Sequence, residues 1–301
     1  MTPLTRGASP VQLRARVVAT YGWQMLIEDA DRVWQATRRG KRGDVVVGDC
    51  VIASVTSADQ ARIESIEPRT TLLFRADSYR TKEMAANIDQ VIIVFAARPA
   101  FNRWFIWKAL VAAEAAGIEA LVLRNKTDLG DADDTGLFIK QISQLGWHTL
   151  ALSAKTDAQQ SRALLMRKLQ GRKSLLVGQS GMGKSTLLNL LVPDAQARTQ
   201  EYSQRLNVGK QTTTASRWFP VDGDSALVDT PGFREFGLAH LSPAEIAATF
   251  PEFKQLLGHC RFLDCRHVKE PGCAIRSALA DGRVAPERYD FYRSLAAISS
   301  K

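Results

Sequence analysis

The sequence predicts a multidomain chain: a small N-terminal β-barrel, a central α/β domain built on a parallel sheet, and a C-terminal helical domain that binds a metal. Three observations predict this organisation. Short strand-like segments separated by turns fill the N-terminal part, buried-strand and helix patterns alternate from about residue 88, and cysteines cluster with a histidine after residue 259. We therefore place the domains at residues 1–70, 71–240 and 241–301.

The N-terminal domain contains candidate strands that are short and bounded by turn residues. They cover residues 13–19, 24–27, 32–37, 49–55 and 62–66. Strands this short and closely spaced suit a closed barrel such as the OB-fold, although periodicity alone also allows another small β-domain. Cys50 stands alone in the fourth strand, which predicts a core position rather than a chemical site.

The central domain alternates continuous apolar runs with amphipathic stretches. Strands are predicted at residues 91–95, 119–123, 149–152 and 174–177, and helices at residues 104–116, 135–145, 159–169 and 184–191. Alternation at these lengths predicts a parallel sheet with helices on both faces. The polar stretch 193–217 has little periodicity and predicts a mobile loop.

The C-terminal domain is predicted to be helical, and Ser242 and Glu245 form a capping box at its start. Its candidate metal ligands follow the spacing Cys-x4-Cys-x-His-x5-Cys: Cys260, Cys265, His267 and Cys273. Three thiolates and one imidazole are a complete tetrahedral set for one structural zinc ion. The alternative is a group of reduced core cysteines beside an incidental histidine. His259 is a weaker candidate because adjacent residues seldom both reach one metal.

The bulk composition, with 45% hydrophobic and 24% charged residues, is that of an ordinary soluble globular protein. The sequence has no apolar run long enough for a membrane span, and its first residues lack the apolar region of a secretion signal. We therefore expect a cytoplasmic protein without a membrane partner. The net charge of +9 favours a polyanionic partner.

A phosphate-binding loop is predicted between the strand at 174–177 and the helix that follows. Its residues match G-x-x-x-x-G-K-[ST] and run Gly178, Gln179, Ser180, Gly181, Met182, Gly183, Lys184, Ser185 and Thr186. Glycines let backbone N–H groups curl around phosphate oxygens, and the helix N-terminus adds partial positive charge. We expect Lys184 to reach the β- and γ-phosphates and Ser185 to bind Mg²⁺. The alternative is a glycine-rich turn with a chance lysine.

Base selectivity is predicted at the segment that follows the strand at 119–123 and reads Asn125, Lys126, Thr127 and Asp128. Guanine presents two adjacent donors, N1–H and the exocyclic amine, and the Asp128 carboxylate can accept both. Adenine would leave this carboxylate half unsatisfied. The alternative is a surface turn. A loop that supports the base is expected after the strand at 149–152, with Ser153, Ala154 and Lys155.

The γ-phosphate side is predicted at Asp229 and Gly232, which resemble the D-x-x-G of GTPases. There the aspartate holds Mg²⁺ through water and the glycine N–H contacts the γ-phosphate. A switch threonine that binds the same Mg²⁺ is expected in the preceding polar loop. We assign Thr213, with Thr212 as the neighbouring choice and a solvated threonine-rich loop as the alternative.

The order of these motifs predicts a circularly permuted P-loop GTPase domain. Ordinary GTPases begin with the phosphate loop, whereas here the base-reading motifs come first. Permutation leaves a site intact because a sheet can be cut and rejoined at surface loops. The sequence therefore predicts binding and hydrolysis of GTP with magnesium. The predicted catalytic residues are Lys184, Ser185, Thr213, Asp229 and Gly232.

Barrel, permuted motifs and Cys-x4-Cys-x-His-x5-Cys together resemble the YjeQ/RsgA family across essentially the whole chain. The resemblance implies an OB-fold, a zinc-bound C-terminal domain, and docking of a monomer on the small ribosomal subunit and its rRNA. It also implies a role late in maturation of that subunit, with release coupled to GTP hydrolysis.

Two residues depart from what such enzymes use to position water. Many family members carry histidine directly before the three threonines, whereas this chain has Gln211, which can orient a water but cannot act as a general base. Phe233 stands where Ras-like enzymes place a water-orienting glutamine. We therefore expect slow unassisted hydrolysis that the ribosome stimulates.

Two other functions compete with a GTPase switch. One is an RNA-binding scaffold that holds GTP with little turnover. The other is an RNA-modification GTPase, which is disfavoured because the sequence has no second catalytic constellation. A basic run suited to RNA phosphates consists of Arg38, Arg39, Lys41 and Arg42, with a solvated turn as the alternative.

Overall fold

A computed structural model of the chain describes residues 11–30, 32–38, 45–76, 81–130, 134–205, 216–230 and 233–298. A continuous sheet runs from the N-terminal barrel into the central domain, and a helical module follows at the C-terminal end. None of the helices in these ranges combines the length and the apolar character that crossing a bilayer requires.

The N-terminal barrel is closed by its first strand. The strands are β1 (Gln12–Tyr21), β2 (Gln24–Asp29), β3 (Arg32–Arg38), β4 (Cys50–Val55) and β5 (Gln60–Ile66). Their order is β1-β2-β3-β5-β4, and β1 pairs with β4 as well. One strand serves both neighbours because residues 12–16 pair with β4 and residues 16–21 with β2. The predicted strands and the closed OB-type barrel are confirmed.

The barrel core follows from the alternation in β1, where Leu13, Ala15 and Val17 point inward. They pack against apolar residues of the other strands: Met25, Ile27, Trp34, Ala36, Val51, Ala53, Ala61 and Ile63. Cys50 is half-buried and lies outside this cluster, so its predicted core position is wrong. The inward-pointing residues of β4 are its neighbours Val51 and Ala53.

A hairpin that the sequence analysis did not predict connects the barrel to the central domain. Its strands are β6 (Leu72–Ala76) and β7 (Thr81–Ala86). On the barrel side, the backbone N–H of Ala86 donates to the carbonyl of Val47 at 3.0 Å. On the other side, the N–H of Gly237 donates to the carbonyl of Phe74, also at 3.0 Å. The hairpin therefore lies between the barrel and the segment that follows Asp229.

The central domain has the predicted alternating architecture. Its elements are β8 (Gln90–Phe95), α1 (Arg103–Ala115), β9 (Glu119–Arg124), α2 (Thr135–Gln144), β10 (His148–Ala151), α3 (Ala158–Leu169), β11 (Lys173–Gly178), α4 (Lys184–Leu191), α5 (Ala195–Arg205), β12 (Ser216–Asp222) and β13 (Ser225–Asp229). The strand order is β10-β9-β8-β11-β13-β12, with β12 antiparallel to β13 and the other pairs parallel. β12 also pairs with β1, which joins this sheet to the barrel.

The predicted mobile loop over residues 193–217 is wrong for the parts that the structure describes. Residues 195–205 form α5, and Ser216 and Arg217 begin β12. α5 is strongly polar, so its periodicity is weak. Two buried residues seven positions apart, Ala195 and Tyr202, nevertheless lie on one face and attach it to the main core.

The C-terminal module is helical, as predicted, with α6 (Pro243–Ala248), α7 (Pro251–Lys254), α8 (Ala274–Ala280) and α9 (Pro286–Ile298). The capping box at Ser242 and Glu245 is present. Arg288 attaches the module to the central domain: its buried guanidinium pairs with Glu252 at 2.7 Å and lies 5.2 Å from the ring centre of Trp107. An ion pair under an aromatic ring favours a fixed contact between α9 and α1.

Candidate nucleotide site and metal centre

The motifs that are far apart in the chain meet at one edge of the sheet. β9, β10, β11 and β13 belong to its parallel part, so their carboxyl ends lie on the same side. Residues 125–128 follow β9, residues 153–155 follow β10, residues 179–183 follow β11, and Asp229 ends β13. This edge is where open α/β sheets bind ligands.

The phosphate loop takes a conformation that only glycine allows at two positions. Gly181 and Gly183 have positive φ angles of 80° and 94°. A Cβ atom on Gly183 would lie 2.3 Å from Nδ2 of Asn125, and one on Gly181 would lie 2.9 Å from Cγ of Pro99. The loop is therefore packed against neighbouring segments, with Gln179 partly buried, Met182 buried, and Ser180, Ser185 and Thr186 exposed.

Lys184 folds back over the phosphate loop. Its Nζ donates to the carbonyls of Gly178 at 2.6 Å and Gln179 at 2.9 Å. Burial lowers the pKa of Lys184, and the nearby Asp229 carboxylate opposes this shift. A cation held at the loop by weak backbone acceptors is free to turn toward a phosphate anion.

Asn125 joins the loops around the site. Its side chain is buried, its Nδ2 donates to the carbonyl of Met182 at 3.0 Å, and its Oδ1 accepts from the N–H of Ala154 at 3.2 Å. One amide group thereby connects the phosphate loop with the loop after β10. Buried amides in such a network fix the relative positions of the segments that they join.

Lys126 and Asp128 complete the base side. Lys126 has a positive φ of 61°, and its Nζ donates to the carbonyls of Gly181 at 2.6 Å and Arg98 at 2.9 Å. Thr127 begins a 3₁₀ turn that presents the exposed Asp128. Ser153 donates from its hydroxyl to the Asp128 carboxylate. The structure therefore brings Asn125, Asp128 and the loop after β10 together, and Lys155 in that loop is exposed.

Asp229 lies between two cations at the end of β13. Burial raises its pKa, whereas Lys184 and Arg217 act to lower it. The sequence analysis missed Arg217 as a site residue because it fell at the end of the supposed loop. Its signal was the apolar pair Trp218-Phe219 directly after it, which marks the start of a strand.

The remaining γ-phosphate residues are only partly described. Thr213, Thr212, Gln211 and Gly232 lie outside the described residues. Phe233 is described, and its ring packs against the rings of Phe236 at 4.7 Å and Phe105 at 6.2 Å. An aromatic ring held in this cluster has no polar atom with which to orient a water molecule.

The four predicted metal ligands converge in the C-terminal module. One donor atom from each of Cys260, Cys265, His267 and Cys273 lies within 4.8 Å of the others. The Sγ atoms of Cys260 and Cys273 are each 3.5 Å from Nδ1 of His267, which identifies Nδ1 as the ligand nitrogen. His259 is exposed and is not in the group. Three thiols and one imidazole at this spacing fit a tetrahedral ion.

A turn built around Glu270 supports the cluster. Its carboxylate accepts from the backbone N–H groups of Arg266 at 3.0 Å, Val268 at 2.9 Å and Lys269 at 2.9 Å. Burial opposes ionisation, but these bonds bring the pKa of Glu270 down to about 2. Tyr289 adds a hydrogen bond to the carbonyl of His267 at 2.7 Å. The backbone around the ligands is therefore fixed by groups other than the ligands.

The fold and the site define a circularly permuted P-loop GTPase that carries a five-stranded barrel before it and a metal-binding helical module after it. A family model described as RsgA GTPase matches residues 66–239. The chain belongs to the RsgA GTPase family.

The chain is similar in sequence to named relatives along nearly its full length. The protein called small ribosomal subunit biogenesis GTPase RsgA in Burkholderia pseudomallei (strain K96243) is 46% identical over 296 residues, which is 97% of this chain and 94% of the relative. The protein of the same name in Paraburkholderia phytofirmans is 45% identical over 298 residues, covering 96% and 94%.

Two solved structures share the architecture. YjeQ from Thermotoga maritima superimposes with a TM-score of 0.72 at 29% identity, covering 96% of this chain and 99% of that one. YloQ, described as a circularly permuted GTPase, has a TM-score of 0.67 at 24% identity, covering 99% and 98%. The chain thus shares its fold with both structures over nearly its full length.

Proposed function

We propose that the chain binds GTP with Mg²⁺ at the carboxyl edge of its parallel sheet, hydrolyses it to GDP and phosphate, and uses this cycle in biogenesis of the small ribosomal subunit. One observation supports the nucleotide site above all others. Asn125 bridges the phosphate loop and the loop after β10, so that base-side and phosphate-side groups are held in one frame. Membership of the RsgA GTPase family supports the reaction.

In this proposal each loop of the site contacts one part of the nucleotide. Asp128 accepts from N1–H and the exocyclic amine of guanine, and Ser153 orients its carboxylate. Asn125, Lys126 and the loop of residues 153–155 surround the base. The backbone N–H groups of residues 178–186 face the phosphates, with Lys184 on the β- and γ-phosphates.

Hydrolysis then depends on charge stabilisation rather than on a protein nucleophile. When bound, Mg²⁺ neutralises the charge that develops on the phosphates; Ser185 and Thr213 would hold it directly and Asp229 through water. Lys184 and the N–H of Gly232 stabilise the γ-phosphoryl oxygens. Since Phe233 has no polar atom to offer, Gln211 is the candidate to orient the attacking water.

The second cofactor in this proposal is one structural zinc ion held by Cys260, Cys265, His267 and Cys273. With four protein ligands there is no open coordination position, so the ion would stabilise the C-terminal module and take no part in hydrolysis. The donor set of soft thiolates and one imidazole favours zinc over calcium or magnesium.

The proposed partner is the small ribosomal subunit, which the printed names of the relatives specify for those proteins. A net charge of +9 suits binding to rRNA. We propose that a monomer binds rRNA through the basic run at Arg38, Arg39, Lys41 and Arg42 and through the C-terminal module. Arg38 is the half-buried last residue of β3, whereas residues 39–42 lie outside the described residues.

The competing proposal is a GTP-dependent RNA-binding scaffold with little turnover, which the apolar Phe233 favours. Phosphate release should be measured under multiple turnover with small subunits, with large subunits and with neither. We expect stimulation by small subunits alone. Equal, negligible rates in all three would favour the scaffold, and equal stimulation by both subunits would contradict the partner.

Charge reversal at Arg38, Arg39, Lys41 and Arg42 tests the RNA-binding part of the proposal. We expect the variant to co-sediment less with small subunits and to keep the wild-type affinity for GTP. Binding of the wild type to small subunits should also fall more steeply with salt than binding of the variant. The matched control reverses the same number of exposed basic residues, namely Lys140 of α2 and Arg162, Arg167 and Lys168 of α3. If both variants lose binding to small subunits equally, the effect depends on net charge alone and not on the basic run.

A further inference from the structure

Arg217 is a buried cation whose position the reaction described above does not use. It is the second residue of β12, and only 9% of it is exposed. Its Nε is buried and has no hydrogen-bond partner among the described residues. A buried guanidinium is retained at a cost in solvation, so its surroundings must supply compensating charge.

That compensating charge is Asp229. Arg217 and Asp229 are directly opposite each other in the antiparallel pair β12–β13. Directly opposite residues of such a pair project their side chains from the same face of the sheet and lie within interaction distance. Burial lowers the pKa of Arg217 and raises the pKa of Asp229, and the attraction between the two charges opposes both shifts.

Arg217 also contacts the helix that leads into the switch segment. Its Nη2 donates to the hydroxyl of Ser203 on α5 at 3.2 Å, and this hydroxyl donates onward to the carbonyl of Thr199 at 2.8 Å. The backbone of Arg217 pairs with Ala19 of β1 in the barrel. Arg217 therefore lies opposite the site carboxylate, donates a hydrogen bond to α5 and pairs with the barrel strand β1.

We propose that Arg217 is a positioning residue of the GTPase reaction, which orients Asp229, competes electrostatically with Mg²⁺ for its carboxylate, and links that carboxylate through Ser203 to α5. The inference rests on the proposed function, because it takes Asp229 as the magnesium-side carboxylate. When Mg²⁺ binds, two cations share one carboxylate and the Arg217–Asp229 attraction weakens. The hydrogen bond to Ser203 passes this change to α5, which ends at Arg205.

Competition between Arg217 and Mg²⁺ for Asp229 predicts that removing Arg217 strengthens Mg²⁺ binding, which simple destabilisation of the fold would not do. Arg217→Gln removes the charge and keeps a donor for Ser203. At saturating GTP, we expect the Mg²⁺ concentration for half-maximal hydrolysis to fall about three- to tenfold, because a nearby cation no longer repels the metal. We also expect kcat to fall, because Asp229 is less well oriented. A variant that is merely destabilised would lose activity without binding Mg²⁺ more tightly.

The tighter binding of Mg²⁺ should also be measurable when no GTP is hydrolysed. The rate at which labelled GDP dissociates is measured as Mg²⁺ is titrated, and its midpoint should move to lower Mg²⁺ in Arg217→Gln. Arg217→Lys keeps the charge and should keep the wild-type midpoint. Arg205→Gln removes a positive charge from α5, the helix that Arg217 contacts through Ser203. This variant should also leave the Mg²⁺ midpoint unchanged. An unchanged or raised midpoint in Arg217→Gln, or an equal fall in Arg205→Gln, would overturn the proposal.

The link to α5 has its own test, which needs no change at Arg217. Ser203→Ala cuts the hydrogen bond and keeps the charge, so kcat should fall while the Mg²⁺ midpoint stays at its wild-type value. In the wild type, amide exchange at the C-terminal end of α5 should differ between GDP alone and GDP with Mg²⁺. Wild-type kcat in Ser203→Ala, or identical exchange in the two states, would overturn the link. A wild-type chain that hydrolyses no GTP at any Mg²⁺ concentration would instead contradict the proposed function.

Discussion

The nucleotide site and the metal cluster are built in opposite ways. The nucleotide site takes residues from four loops that the sheet brings together, and Asn125 bonds two of those loops before any ligand is present. The metal cluster takes its four candidate ligands from one stretch, residues 260–273. The nucleotide site is therefore assembled by the whole sheet, whereas the metal cluster is assembled within one short segment.

The protonation of the cluster illustrates the difference. Burial raises the pKa of Cys265 to about 12, so that this thiol stays protonated at neutral pH without a metal. A bound cation reverses this preference, because coordination favours the thiolate. A bound metal would therefore contribute free energy of folding to the C-terminal module, whereas a nucleotide would bind between loops that Asn125 already joins.

The largest expected effect follows from removing the metal. Chelation, or Cys265→Ser, should abolish binding of one zinc ion per chain and unfold the C-terminal module before the central domain, since metal binding contributes about 10 kcal/mol in comparable small sites. Elemental analysis and the two-step unfolding curve measure this. Loss of GTP binding in parallel with the module would break the comparison, because it would make the nucleotide site depend on the metal.

The next largest effect is on catalysis. Lys184→Ala should lower GTP hydrolysis by roughly 10²–10³-fold, because charge on the γ-phosphate is no longer stabilised. The unfolding temperature should stay near the wild-type value, since among the described residues the Lys184 side chain donates hydrogen bonds to carbonyls of its own loop. Single-turnover phosphate release with calorimetry of unfolding tests both parts. Near-normal hydrolysis would remove this loop as the phosphate site.

A smaller and more selective effect is expected on the base side. Asp128→Asn should weaken GTP binding by about tenfold or more and shift preference toward xanthosine triphosphate, whose C2 oxygen can accept from an amide. Competition between the two nucleotides measures it. Since Ser153 also contacts this side chain, Ser153→Ala is the control and should weaken binding of both nucleotides without exchanging their order. Unchanged GTP affinity in Asp128→Asn would contradict the base-reading role.

Local patterns made much of this molecule predictable. The phosphate loop, residues 125–128 and the four metal ligands depend on spacings within a few residues, and the sheet edge follows from alternating strands and helices. The barrel was predictable because its strands alternate. Each of these features is encoded by residues that are close together in the sequence.

The features that the sequence did not predict depend on contacts between distant segments. α5 is too polar to show a clear period, and its place follows from Tyr202 packing into the main core. The role of Arg217 follows only from its register opposite Asp229. The cage around Arg288 needs Glu252 on one side and Trp107, from an element nearly 200 residues away in sequence, on the other. No local pattern encodes such a pairing.

The strand order has a consequence for synthesis. β13 follows β12 in the chain but lies between β11 and β12 in the sheet. A nascent chain can close its barrel early, yet β12 cannot reach the central sheet until β13 has emerged and inserted beside β11. Domains generally fold in the order in which they are made. The growing polypeptide should therefore be unable to retain nucleotide until residue 229 is free of the exit tunnel, when synthesis of the C-terminal module is already under way.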